Sequence, residues 1–178
     1  VLDYSVAPAF FPQAVCEAAE AVKIVRDNAQ KWGINPDKIM ICGFSAGGHL
    51  AASLGVFYDK KEVLDNVGCT ADECKPNGTI LGYPVISGGI YSHKGSFERL
   101  CGCEYDIEKA EKLSIEKLVS SSTPPAFVWH TFEDTVVPVQ NSLLYAKALA
   151  DNLFSAEDAA AYEENKKSNF LFNFLSKE

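Results

Sequence analysis

Histidine is scarce in this chain, with three among 178 residues: His49, His93 and His130. One methionine is present, at position 40, and none stands at the start. No block of basic residues occurs, and 16 Lys+Arg against 24 Asp+Glu leave a formal charge of −8. A nucleic-acid surface or an anionic-membrane surface is therefore excluded. Long apolar runs are lacking as well, and stretches such as Ile39-Met40-Ile41-Cys42-Gly43-Phe44 are far too short to span a bilayer. The opening Val1-Leu2-Asp3-Tyr4 has neither a basic region nor a cleavable apolar run. No signal peptide is visible, so a cytoplasmic location is expected, with position 1 read as an internal start. What remains is an ordinary globular composition, 47% hydrophobic and 22% charged. Its length suits one domain, 1–178, with one core.

The order of elements is α/β. Val15, Ala18, Ala19, Val22, Val25, Ala29 and Trp32 recur at helical spacing, and Gly33 stands where a left-handed cap would end that helix. Lys38 to Phe44 reads as a short strand buried on both faces. Ala46 to Tyr58 is helix-like, with Leu50, Leu54 and Phe57 as core candidates. After an irregular connection from Asp59 to Gly78, strands are expected at Thr79–Tyr83 and Ala126–Trp129. Between them, 87–123 reads as a cap-like insertion over the fold. A helix follows at Asn141–Asn152, with Leu144, Ala148 and Leu149 along one side. Strands alternating with helices predict a mostly parallel sheet.

Six cysteines need an account. Cys16 and Cys42 read as small core residues. Cys69-x4-Cys74 and Cys101-Gly102-Cys103 lack the Cys-x2-Cys spacing of common zinc sites. A metal site or a disulfide stays open for them, with free surface thiols as the preferred reading.

Chemistry concentrates at Gly43-Phe44-Ser45-Ala46-Gly47, a G-x-S-x-G between a predicted strand and a predicted helix. A turn that tight strains the serine and lifts its hydroxyl clear of the strand, while glycines two before and two after remove clashing side chains. The backbone N–H of Ala46, opening the helix, is placed to donate to an oxyanion. A glycine-rich phosphate turn or a plain packing bend is the alternative. The second constellation is Asp134-Thr135-Val136-Val137-Pro138, past the end of a strand, where an acid could orient a histidine. Glu133 is its weaker neighbour, and an ordinary surface turn is the alternative there.

Asp3-Tyr4-Ser5-Val6-Ala7-Pro8, Gly43 through Ala51, Tyr83-Pro84-Val85-Ile86-Ser87 and Trp129 through Pro138 together resemble the α/β-hydrolase esterases, closest to the acetyl-esterase/xylan-esterase branch. The resemblance runs from about residue 1 to 152. It implies a three-layer α/β-hydrolase fold and a serine carboxylesterase acting on small acyl groups, often acetyl on plant polysaccharide, with esterases associated with endo-1,4-β-xylanases among the similar kinds. It also implies Ser45 as nucleophile, Asp134 as acid and no metal or organic cofactor. Partners would be small-molecule or carbohydrate esters.

The family's histidine follows its acid, yet all three histidines here precede Asp134. Relatives carry a further strand and the catalytic His-Gly after the helix matching Asn141–Asn152. A missing segment is therefore expected there, with a chain break between Asn152 and Leu153. The strand and loop giving the second oxyanion donor would precede Val1. His49 reads as structural and His130 as a packing residue near the acid, while His93 is a candidate for lining the substrate cleft. The rival reading is a non-catalytic hydrolase-fold binding protein without its base. The apolar tail Phe170-Leu171-Phe172-Asn173-Phe174-Leu175 reads as a docking helix in the family layout.

Overall fold

A computed structural model describes residues 1–153. In chain order its helices are α1 (Gln13–Asp27), α2 (Ala29–Trp32), α3 (Ala46–Phe57), α4 (Lys61–Val67), α5 (Ala71–Cys74), α6 (Lys94–Cys101), α7 (Ile107–Lys112) and α8 (Gln140–Leu153). A 3₁₀ turn covers Ile115–Lys117. The strands are β1 (Met40–Phe44), β2 (Gly78–Gly82) and β3 (Ala126–Trp129). They form one sheet in the order β1-β2-β3, with both pairings parallel. The helix expected to run as far as Trp32 breaks at Asn28, where the chain turns from α1 into α2. The connection read as irregular holds α4 and α5.

Successive side chains on a strand point to opposite faces. One face presents Ile41, Thr79, Leu81, Ala126 and Val128, paired across the strands. Against it pack α3 and the buried side of α8, with α1 packed on α3, in a core that includes Ala18, Val22, Leu54, Leu81 and Tyr145. Ile115 is fully buried in that same core, and Leu113, Leu118 and Val119 pack against it. The end of the 87–123 segment is thus woven into the fold rather than laid over it. Its earlier part contributes Phe97 and Ala110 to a second small core that Val85, after β2, and Val137, in the loop after β3, complete.

The other face carries Met40, Cys42 and Phe44 from β1 and Phe127 and Trp129 from β3. Four of these are large and exposed: Met40 at 48%, Phe44 at 56%, Phe127 at 64% and Trp129 at 52%. This corrects the expectation of a strand buried on both faces, and with it the placing of Cys42 in the core. The described residues supply two layers of the three expected, because every described helix with sheet contacts covers the same face. Met40 and Phe44 lean across β2 over Gly78 and Gly82, shielding the strand that has least side chain of its own.

Two further expectations change. Cys69 and Cys74 are joined as a disulfide across the α5 turn, so of the four cysteines read as free surface thiols only Cys101 and Cys103 are free. The backbone also passes unbroken through Asn152 and Leu153 as the last turn of α8. Helical contacts sustain that turn: Lys147 pairs with Asp151, and Asn152 Nδ2 donates to the Ala148 carbonyl at 2.9 Å. The docking helix read from the apolar tail lies outside the described residues.

Candidate active site

The β1–α3 junction is built from backbone. Ser45 has φ 52° and ψ −120°, a conformation that costs a non-glycine residue of order 1–3 kcal/mol and persists only where neighbours over-determine it. They do so here. The Ser45 N–H donates to the Gly82 carbonyl at 3.0 Å, and its own carbonyl accepts from Val85 N–H at 3.1 Å and His49 N–H at 3.1 Å. Close packing explains the glycines, with one change of role. A Cβ on Gly43 would meet the Gly47 carbonyl oxygen at 2.0 Å, and one on Gly48 would meet Pro84 Cβ at 2.8 Å. A Cβ on Gly47 would find nothing closer than the Tyr4 hydroxyl at 3.9 Å. The downstream glycine that close approach demands is therefore Gly48, not Gly47. Ala46 is the first residue of α3, where N–H groups have no intrahelical acceptor and the helix dipole favours negative charge.

The loop after β3 is built from side chains instead. Asp134 Oδ1 accepts from Val136 N–H at 2.8 Å and Val137 N–H at 2.9 Å, and these two donors hold its carboxyl below the usual carboxylate range. His130 adds to that shift, its Nε2 lying 3.5 Å from Asp134 Oδ2. His130 Nε2 donates to the Val137 carbonyl at 2.9 Å while Nδ1 pairs with Ser142 Oγ at 2.7 Å. Next to Ser142, the fully buried Asn141 makes four bonds. Its Oδ1 accepts from Ile86 N–H at 2.9 Å and Ser87 N–H at 2.8 Å, and its Nδ2 donates to the carbonyls of Tyr91 at 2.9 Å and Pro138 at 3.0 Å. One amide thus ties the segment after β2 to the acid loop. The same segment begins at Val85, which holds Ser45. A hydrogen-bonded path joins the two constellations. Glu133, the weaker acid candidate, is exposed.

Neither Asn141 nor Ser142 was singled out from sequence, where Leu144, Ala148 and Leu149 looked like the inner side of α8. The buried positions are Asn141, Ser142 and Tyr145. A polar pair opening a helix beside an acid motif was the available signal.

Ser45 and Asp134 both lie past C-terminal strand ends of one parallel sheet, with β2 between them. Two strand spacings amount to about 10 Å. The histidines do not fill that gap. His49 is on α3 with Nδ1 against the Val85 carbonyl at 3.0 Å and its ring edge toward Phe97, and burial pushes its pKa down to about 4. His130 has both ring nitrogens engaged. His93 immediately precedes α6 and pairs through Nδ1 with Ser96 Oγ at 2.9 Å. Among the described residues no group of three or more His, Cys, Asp or Glu gathers as a metal site, and no helix is long and apolar enough to cross a membrane.

Residues 2–149 match the family model described as BD-FAE. The chain belongs to the BD-FAE family. Among curated relatives, an endo-1,4-beta-xylanase B of Butyrivibrio fibrisolvens is 44% identical over 78% of this chain and 22% of its own length. An acetylxylan esterase of Xylanibacter ruminicola is 36% identical over 76% of this chain and 27% of its own. Among solved structures, an acetyl ester-xyloside bifunctional hydrolase from Caldicellulosiruptor lactoaceticus superposes with a TM-score of 0.73 at 39% identity, over 85% of this chain and 56% of that one. The fold of this BD-FAE member is accordingly the α/β-hydrolase fold. The chain spans about a quarter of the length of these curated relatives and little more than half of the solved one.

Proposed function

We propose that this chain carries the nucleophile and the acid of a serine carboxylic ester hydrolase acting on small acyl esters, acetyl esters of carbohydrate among them. The strained Ser45 at the head of α3 carries the reading. Such strain at a helix N-terminus presents a hydroxyl beside a backbone donor, which is the arrangement acyl transfer needs. Ser45 Oγ attacks the ester carbonyl and gives up its proton to a base. The carbonyl oxygen becomes an oxyanion facing the Ala46 N–H. Collapse expels the alcohol, which takes the proton back, and water then hydrolyses the acyl-Ser45 ester by the same steps. His49 is held against the Val85 carbonyl, His130 has both ring nitrogens engaged, and His93 is held by Ser96 ahead of α6, so the base on this reading is a histidine outside these 178 residues, received by Asp134 through Oδ2. The relatives' greater length supports that assignment.

The test is covalent labelling and turnover in the protein containing this chain. An alkyl fluorophosphonate labels the wild type and leaves Ser45→Ala unlabelled. Asp134→Asn lowers turnover on an aryl acetate about 10⁴-fold, while Glu133→Gln changes it little. Equal labelling of wild type and Ser45→Ala would sink the nucleophile assignment. The second reading, a hydrolase-fold binding protein without a base, rests on the engaged histidines, and absence of any labelling would favour it.

A further inference from the structure

Beside the first residue of α3 lies a cavity of about 190 Å³. Ala46, Leu50 and Ser53 line it along one side of the helix, and Ala14, Phe11 and Phe97 face them from α1, the N-terminal segment and α6. Ala46 to Ser53 is two helical turns, about 10 Å along the axis, so the space runs away from the oxyanion position rather than sitting over it. Leu50 is 8% exposed, Ser53 2% and Phe97 1%. Arg99 is the only lining residue with a permanent charge, and it is exposed. His49, also in the lining, is neutral at neutral pH because burial holds its pKa near 4. The space is apolar and uncharged along α3 and α6, and open to solvent on the side walled by Val6 and Phe10, which are 68% and 45% exposed.

An acetyl group would leave most of such a space empty. An apolar cavity of about 150 Å³ admits benzene, so this one takes about six to eight carbon atoms. We propose that the cavity is an acyl-chain site and that the protein accepts esters of unbranched acids of about six to eight carbons as well as acetyl esters. This rests on the reading of Ser45 as the nucleophile, because that reading places the acyl carbon at the mouth beside Ala46. Longer acids gain by burying methylenes and stop gaining once the chain reaches Ser53.

The product acids test the site without requiring turnover. Acetate, butyrate, hexanoate and decanoate are titrated into the 178-residue chain, followed by the backbone amide signals of Ala46, Leu50 and Ser53. Affinity should rise by up to about fourfold per added methylene as far as hexanoate, and level off by decanoate. Ser53→Leu, which fills the deep end, should weaken hexanoate at least about tenfold and leave acetate unchanged. Ala14→Leu should act the same way from the opposite wall, should Ser53→Leu not fold. A flat chain-length series would overturn the proposal, as would responses confined to Phe127 and Trp129 on the open sheet face. Absence of fluorophosphonate labelling with a rising series removes the esterase reading and leaves the apolar site. A labelled Ser45 with a flat series does the reverse.

Discussion

The nucleophile turn and the acid loop stand at the same end of the same sheet, yet they are held by different means. Around Ser45, position is set by backbone packed against backbone: Gly43 against Gly47, Gly48 against Pro84, and three main-chain hydrogen bonds on Ser45 itself. Around Asp134, position is set by buried side chains, with His130, Asn141 and Ser142 satisfying loop groups one by one. The first construction should fail when atoms are added. The second should fail when polar atoms are taken away.

The largest expected effect sharpens the first half of that contrast. Gly43→Ala forces a Cβ to 2.0 Å from a carbonyl oxygen with no flexible side chain to yield, and should cost upward of about 4 kcal/mol. Gly47→Ala meets only the Tyr4 hydroxyl at 3.9 Å, so it should stay within about 1 kcal/mol and could gain from alanine's better helix propensity. Urea denaturation of the two variants checks this, and equal losses would show that the turn is not sterically locked at Gly43.

Next comes the acid loop. Asn141→Leu keeps the volume but orphans two buried N–H groups and two carbonyls, which should cost about 3 kcal/mol. Ser142→Ala, losing one bond to His130, should cost only about 1 kcal/mol. If Asn141→Leu proved neutral, the loop would be held by something other than its side chains.

The last effect concerns the histidine on the nucleophile side. His49 has a folded pKa near 4 against an ordinary 6.5. Between those values the unfolded chain binds a proton that the folded chain refuses, so stability falls as pH drops through that window and levels off below it. The loss amounts to at most about 3 kcal/mol, and less to the extent that water reaches the ring. In His49→Phe that part of the pH dependence should vanish from urea midpoints compared at pH 4 and pH 7. An unchanged slope would mean that His49 is not held neutral by burial.

The same division governs what could be read in advance. Ser45 and its strand–turn–helix setting were legible because a tight backbone turn needs glycines at fixed offsets, and those offsets appear in the sequence itself. Asn141 was not legible. Three of its partners, Ile86, Ser87 and Tyr91, lie 50 or more residues away along the chain, and a polar residue on a helix ordinarily faces water. The open sheet face escaped for a related reason. Met40, Cys42 and Phe44 form the same short apolar run whether one or both faces of their strand are covered.

By itself, then, the sequence determined the alternation of strands and helices, the turn at Ser45 and the acid motif at Asp134, since local periodicity and turn chemistry act over a few residues. The tertiary structure decided which glycine was needed, that Cys69 and Cys74 pair, that Ile115 belongs to the core, and that His49 and His130 are occupied. Each of those depends on approach between residues distant along the chain or on which side of a turn an atom falls. Local propensity carries no information about either.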